Sequence, residues 1–242
     1  MPIRIASVAL AAAAMALAGC QDAPGPARPV AAPASSAPAA NGVAALDADK
    51  ILKRAIDALT AARSYRVDGY LVQQGKRTGI GLAVSPEGFS ASMAVGDTQV
   101  ELLEVAGEQY IRSNEGFWID AVGARRGKVM AELIGERWVT GAKKDESFAQ
   151  LFSIGSPEQF LEPLKELSKG AEKDVDGVPA IALHDAAERG SVLYVATTGE
   201  PYPLLMTDGR SSLEFSDFGV PAEALAAPAP DDVVDLDELA GL

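Results

Sequence analysis

The spacing of apolar residues changes along the chain, and its first regular stretch is helical. Between residues 48 and 63, apolar side chains recur every three or four positions, which places them on one face of a helix. Asp47 and Asp49 stand at the start of this stretch and Arg63 near its end, the charges that suit the two ends of a helix. The pattern predicts an amphipathic helix over residues 48–63.

After residue 63 the apolar period falls to two, which is the period of a strand. Tyr65 and Val67 alternate with Arg66 and Asp68, and the same rhythm continues to Ser113. Turn residues interrupt it at 75–76, 96–97 and 106–108. This stretch predicts a five-stranded antiparallel meander.

The middle of the chain returns to helical spacing. It predicts a helix over residues 125–134, a short extended piece around Trp138 and Val139, and two further helical stretches over residues 148–154 and 157–168. These stretches form a helical insertion between two regions of strands.

Strand signals then resume and form a second meander. Its strands are predicted over residues 178–183, 192–197, 204–208 and 213–218, separated by glycines and prolines. Val233, Val234 and Leu236 add one edge strand within an acidic C-terminal segment. The whole pattern predicts an α+β fold: a curled antiparallel sheet, or incomplete β-barrel, with helices covering its concave face.

A concave sheet face is filled by its own side chains, covered by helices, or left open for a ligand. Alternation leaves two interpretations open, core packing against the first helix and a ligand cavity. Small residues at presumed inner positions, Gly69, Ala91 and Ala182, favour a cavity because they leave volume unfilled. The residues predicted to line this face are Val67, Leu71, Ile80, Leu82, Phe89, Met93, Val100, Leu102, Leu193, Val195, Leu213 and Phe215.

The N-terminus has the layout of an export signal. Arg4 precedes an uncharged run of 14 residues, from Ile5 to Ala18. A membrane-spanning helix needs about 20 apolar residues, so this run is too short for a stable span. Leu17, Ala18, Gly19 and Cys20 resemble the lipobox of bacterial lipoproteins, which implies acylation of Cys20 and removal of residues 1–19. The alternative is an ordinary secretory signal with an incidental cysteine.

Residues 20–45 are rich in alanine and proline, and five prolines prevent a helix or strand from propagating. This composition predicts a tether. As a coil, the segment reaches about 25 to 30 Å. The folded domain is predicted to cover residues 46–242.

The charge of the chain restricts its partners. The formal net charge is -13 at pH 7 and becomes -14 when Arg4 leaves with the signal. An acidic domain is repelled by phosphate backbones and by anionic lipids. No nucleic-acid partner is therefore expected, and membrane contact is expected to depend on the lipid anchor.

Candidate catalytic groups are few. His184 is the single histidine, and no Gly-x-Ser-x-Gly motif accompanies it. No phosphate-binding glycine loop or calcium-loop spacing is present, and the carboxylate pairs Glu101 with Glu104 and Asp174 with Asp176 are interpreted as solvated surface. The sequence predicts no enzyme, no cofactor and no metal site.

Several short segments carry a family resemblance, which extends over most of residues 46–242. The segments are residues 48–55, 64–69, 193–195, 199–204, 215–219 and 231–236. In these segments the chain resembles actinobacterial lipoproteins of the LppX/LprAFG group and, more widely, the LolA/LolB half-barrel superfamily. This resemblance implies an incomplete barrel that holds acyl chains of lipids or lipoproteins.

Two functional hypotheses follow. The first is a lipoprotein anchored through Cys20 at the extracytoplasmic face of the cell membrane, or of the outer membrane in a host with two, that binds or carries lipid in an apolar cavity. The second is an interaction or sensor module that does not transport and uses the same fold to bind a polypeptide of the cell envelope. A deep apolar cavity favours the first, and a packed interior favours the second.

Overall fold

The computed structural model describes residues 39–141, 146–161, 164, 166–187, 190–221 and 224–236. Cys20, the export signal and most of the proline-rich tether lie outside the described residues. Residues 38–242 form one compact unit.

The described residues of this unit form five α-helices. The helix predicted over residues 48–63 is confirmed as α1, whose buried side chains include Ile51, Ala55 and Leu59. A single 3₁₀ turn, Phe152–Gly155, connects the last two helices. The helices are α1 (Ala48–Ala62), α2 (Glu115–Val122), α3 (Ala124–Ile134), α4 (Glu146–Leu151) and α5 (Pro157–Leu161).

All described strands belong to one sheet, which confirms the α+β class. The strands are β1 (Tyr65–Gln73), β2 (Lys76–Ser85), β3 (Gly88–Val95), β4 (Thr98–Val105), β5 (Glu108–Ser113), β6 (Trp138–Thr140), β7 (Leu167–Val175), β8 (Val178–Asp185), β9 (Val192–Ala196), β10 (Pro203–Thr207), β11 (Ser212–Ser216) and β12 (Val233–Asp235). Their spatial order is β12-β6-β5-β4-β3-β2-β1-β11-β10-β9-β8-β7.

The two predicted meanders join in this sheet because β1 pairs with β11. Neighbouring strands are antiparallel throughout, with the exception of β12, which runs parallel to β6. The C-terminal segment thus supplies the predicted edge strand, which contains Val233 and Val234, whereas Leu236 lies beyond its end.

Two predicted helices differ from the structure. The helix predicted over residues 157–168 is wrong: α5 ends at Leu161, and β7 begins at Leu167. Pro163 lacks a backbone donor and disfavours helix continuation. The helix predicted over residues 148–154 divides into α4 and the 3₁₀ turn.

Helix α2 was not predicted from periodicity. It is only eight residues long, and a capping interaction starts it, since the Asn114 side chain accepts a hydrogen bond from the Phe117 backbone N–H. An asparagine followed by a short apolar run is a weak sequence signal. The sequence therefore predicts a helix only at α3 and not at α2.

The folded part also begins before residue 46, inside the predicted tether. The Asn41 backbone N–H donates to the Thr197 carbonyl at 2.9 Å, and Val43 is buried in the core. Composition placed these residues in the tether because alanine and glycine surround them.

Strand register aligns the inner face of the sheet in rows, of which two cross most of the sheet. Cross-strand partners point to the same face, so the pairings can be followed from strand to strand. The first row is Phe215, Val67, Leu82, Ala91, Leu102, Ile111, Val139 and Val234. The second row is Leu183, Leu193, Met206, Leu213, Gly69, Ile80, Met93, Val100 and Ser113.

Helices cover this inner face. Helix α1 packs against α5, β7 and β9, while the 3₁₀ turn packs against β2 and β3. Two aromatic pairs join helix to sheet: the ring centroids of Phe152 and Phe89 lie 6.0 Å apart, as do those of Phe160 and Phe215. The sheet therefore shares its main hydrophobic core with α1, α5 and the 3₁₀ turn. Helices α2 and α3 pack in a second cluster around Trp118, Ile134 and Val139.

Candidate functional site

The residues predicted to line a cavity lie together in the structure. Nine of the twelve are buried, and Leu71, Ile80 and Met93 are partly buried against them. All twelve belong to one cluster with Ile51 and Leu59 of α1. Alternation thus identified the inner face, and the structure fills most of that face with side chains.

The small residues Gly69, Ala91 and Ala182 do not leave the unfilled volume that was expected on the inner face. A Cβ atom at Gly69 would lie 2.0 Å from the Ser212 carbonyl oxygen, so the glycine admits the β11 backbone. Its φ of +150° also favours glycine. Ala91 is buried on the inner face. The placement of Ala182 there is wrong, because it pairs with Tyr194 and its neighbours Ile181 and Leu183 occupy the inner face.

A recess lies beside the core, at the end of the inner face where β1 and β10 finish. We call it the β1–β10 hollow; its volume is about 630 Å³. Two of the predicted residues, Leu71 and Leu213, line it. Its apolar lining is Leu71, Val72, Phe160, Leu164, Met206 and Leu213, and its polar lining is Gln73, Gln74, Asp185, Ser191, Thr207, Asp208, Arg210 and Ser211.

The rim of the hollow is held by the turn between β10 and β11. The Asp208 carboxylate accepts hydrogen bonds from the Arg210 and Ser211 backbone N–H groups. The Thr207 hydroxyl donates to the Ser211 carbonyl at 2.6 Å, and the Ser211 hydroxyl accepts from the Val72 backbone N–H at 3.0 Å. Side chains therefore fix this turn and join it to β1.

The backbone N–H groups of Ser211 and Arg210 stabilise the Asp208 carboxylate and hold its pKa below the ordinary value. A carboxyl whose pKa is lowered by folding contributes stability above its unfolded pKa, about 3.9, and loses it as the pH falls through the folded pKa. The rim turn is therefore strengthened at neutral pH by ionisation of Asp208.

Replacing Asp208 tests this contribution. We expect Asp208→Ala to lower the free energy of unfolding by about 0.5–1.5 kcal/mol at neutral pH, because two backbone donors lose their acceptor. Asp208→Asn keeps an acceptor oxygen but cannot ionise. Its deficit relative to the native chain should therefore shrink below about pH 4. Urea unfolding between neutral and acidic pH measures the loss of unfolding free energy in both variants. A loss in Asp208→Asn that stays the same in acid would contradict the role given to the ionised Asp208 carboxylate.

The hollow was not predicted as a unit, although two of its residues were. Its lining comes from β1, α5, β8, β10 and the segments beside them, which are far apart in sequence. Phe160 and Leu164 were assigned to one continuous helix. No local motif joins these segments, so only the strand order brings them together.

The candidate catalytic groups do not lie together, although Asp185, next to His184, lines the β1–β10 hollow. The exposed His184 pairs with Ser168 across the strands and packs over Gly170, where an added Cβ would meet its Nε2 atom. The neighbouring Asp185 is buried, and its carboxylate accepts from the Ala187 backbone N–H at 2.7 Å.

The carboxylate pairs have separate partners. Arg112 donates to Glu101, whereas Gln109 donates to Glu104 at 2.8 Å. Asp174 accepts from the Gly177 backbone N–H in the β7–β8 turn. Within the described part of the chain, no group of three or more histidine, cysteine, aspartate or glutamate residues is arranged to hold a metal ion.

Among the residues that the structure describes, no helix combines the length and apolarity needed to cross a membrane.

Comparison with known proteins gives distant likenesses. No protein-family model matches the chain, and no curated protein matches it. A crystal structure of MucB is 17% identical and aligns over 76% of this chain and 61% of its own, with a TM-score of 0.34. The Pseudomonas aeruginosa MucA/MucB complex gives 18% identity, 76% and 59% coverage and a TM-score of 0.35. The crystal structure of MucB in complex with MucA(peri) is 15% identical, aligns over 74% of this chain and 59% of its own, and has a TM-score of 0.37.

The chain spans about three-fifths of the MucB length. A likeness this distant does not define a function for the chain. The resemblance to the LppX/LprAFG group stays a prediction.

Proposed function

We propose that the folded domain is a non-enzymatic binding module of the cell envelope that holds a polypeptide partner. The observation that carries this proposal is the packed inner face of the sheet. The residues that would line a lipid cavity instead contact one another and the helix above them. Anchoring through Cys20 and the proline-rich tether, predicted from sequence, belongs to the same proposal.

The energetics of the core support this choice. Leu82, Val67 and Leu213 are 1%, 0% and 1% exposed. Moving one such side chain out of the core to admit an acyl chain forfeits roughly 1.5–3 kcal/mol of burial. Binding in the interior would require several such movements, whereas binding at a surface recess requires none.

The β1–β10 hollow provides that surface recess. An apolar floor beneath a hydrogen-bonding rim is the arrangement found at protein interfaces, where apolar side chains are buried centrally and polar groups surround them. Leu71 and Met206 supply apolar surface, and Gln73 and Arg210 supply exposed polar groups at the edge. A peptide with an apolar side chain and flanking polar backbone matches both.

Site-specific photocrosslinking tests the proposal. The full chain is produced in its own host with a photoreactive amino acid in place of Gln73, at the exposed rim. We expect a crosslinked polypeptide identifiable by mass spectrometry. The same residue in place of Arg54, exposed on α1, is the control and should give none. Met206→Glu should abolish the rim crosslink, because a carboxylate on the floor of the hollow is costly to bury.

Lipid binding is the second candidate, favoured by the volume of the hollow, since about 630 Å³ lies within the range of roughly 300–1,000 Å³ typical of small-molecule pockets. It predicts that the Gln73 position crosslinks to an acyl lipid. It also predicts that solvent extraction releases noncovalent lipid in proportion to protein. A lipid crosslink together with released lipid, and no crosslinked polypeptide, would overturn the proposal that the domain binds a polypeptide.

A further inference from the structure

We propose that the exposed face of α3 contacts the anionic surface of a phospholipid bilayer. This contact is separate from the β1–β10 hollow and from the lipid predicted on Cys20. It would determine which side of the domain faces the membrane.

The orientation of α3 is fixed by its packing against α2. Gly127 and Ile134 are buried, and a Cβ atom at Gly127 would lie 2.5 Å from the Ile119 backbone. The two helix backbones therefore approach closely along this line. The opposite face of α3 is consequently presented to solvent in a defined orientation.

That opposite face combines aliphatic and cationic side chains. Val129 and Leu133 are 52% and 51% exposed and stand one helical turn apart. Arg125, Arg126 and Lys128 are exposed around them. In the described chain, Val220 is the remaining large hydrophobic residue that is equally exposed.

The three cations of α3 are not explained by ion pairs within the described part of the chain. In α1, Lys50 pairs with Asp47 and Lys53 with Asp57. None of the α3 cations forms an ion pair with a residue that the structure describes. They also lie in the first half of the helix, where the macrodipole disfavours positive charge. Their position therefore does not serve helix stability.

Charge complementarity identifies the occupant. The chain as a whole carries -13, so an anionic bilayer repels most of its surface and attracts this cationic patch. Exposed Glu132 and Glu136 lie toward the other end of α3, which directs the Arg125 end to the lipid. Aliphatic side chains beside arginine and lysine are the composition of helices that lie at a bilayer interface.

Fluorescence of the full-length protein in vesicles tests this contact. An environment-sensitive fluorescent amino acid replaces Val129, and the same residue replaces Val220 in the matched control. Vesicles contain phosphatidylcholine alone or phosphatidylcholine with phosphatidylglycerol. We expect a blue shift at position 129 with phosphatidylglycerol, reversed by added salt, and no shift at position 220.

Charge reversal gives the second arm. Replacing Arg125, Arg126 and Lys128 by glutamate should remove the shift, while replacing Lys50, Lys53 and Arg54 should leave at least half of it. Circular dichroism verifies that both triple variants fold. Equal shifts at positions 129 and 220, a salt-insensitive shift on phosphatidylcholine alone, or persistence in the α3 triple variant would overturn the proposal. None of these outcomes bears on crosslinking at Gln73.

Discussion

Leu82→Ala is expected to lower the free energy of unfolding by about 2–5 kcal/mol. Leu82 is 1% exposed and lies between Val67 and Ala91 in the first inner row of the sheet. Truncation removes three buried carbons and leaves a cavity that neighbouring strands cannot easily fill. Urea unfolding monitored by circular dichroism, with a constant m-value, measures the loss.

Two comparisons make this result decisive. Leu133→Ala removes the same atoms from an exposed position and should change stability by no more than about 0.5 kcal/mol. Leu71→Ala, partly buried at the hollow, should fall between the two. If Leu82→Ala cost no more than Leu133→Ala, the inner face would be open volume, and the cavity interpretation would replace the packed one.

Gly127→Ala should destabilise the protein by about 1–3 kcal/mol, although alanine is the better helix former by about 1 kcal/mol. The added Cβ would lie 2.5 Å from the Ile119 N and Cα atoms and 2.6 Å from the Trp118 carbonyl carbon. These are backbone atoms, so relief requires the two helices to separate. Trp118, 1% exposed, would then gain solvent contact.

Thermal unfolding and tryptophan emission measure this effect. Lys128→Ala is the matched control, since it places the same residue at the adjacent exposed position and should leave stability within about 0.5 kcal/mol. A Gly127→Ala variant as stable as the control, with unchanged emission, would show that α3 does not pack closely on α2.

The apolar period predicted most strands because their inward side chains recur at every second residue against a common core. It failed at β7, whose Leu167–Val175 segment is an edge strand with exposed lysines and glutamate and hence little alternation. It also failed beyond Leu161, where α5 ends although Phe160 and Leu164 pack against the same cluster. Local periodicity does not distinguish a helix that continues from one that ends before the next apolar residue.

The candidate site was predictable only in part for a related reason. The two-residue alternation of a strand assigns each side chain to one face of the sheet, and it placed Val67, Leu82 and Phe215 on the inner face correctly. Whether that face is filled depends on the neighbours across the sheet and on the helix above it. Gly69 shows the difference, because its missing side chain is replaced by the Ser212 carbonyl of a strand that begins well over a hundred residues later.

The pairing of β1 with β11 also bears on how the chain reaches this structure. Arg66 lies opposite Ser216, so this seam brings together segments from nearly the two ends of the folded domain. The hairpins on either side are local and form without it. Closing the seam carries the entropy cost of a long loop. The inner rows, which cross this seam at Leu213 and Phe215, therefore become continuous only after the second meander has emerged. A chain shortened before β11 would lack the strand that joins β1 to β10.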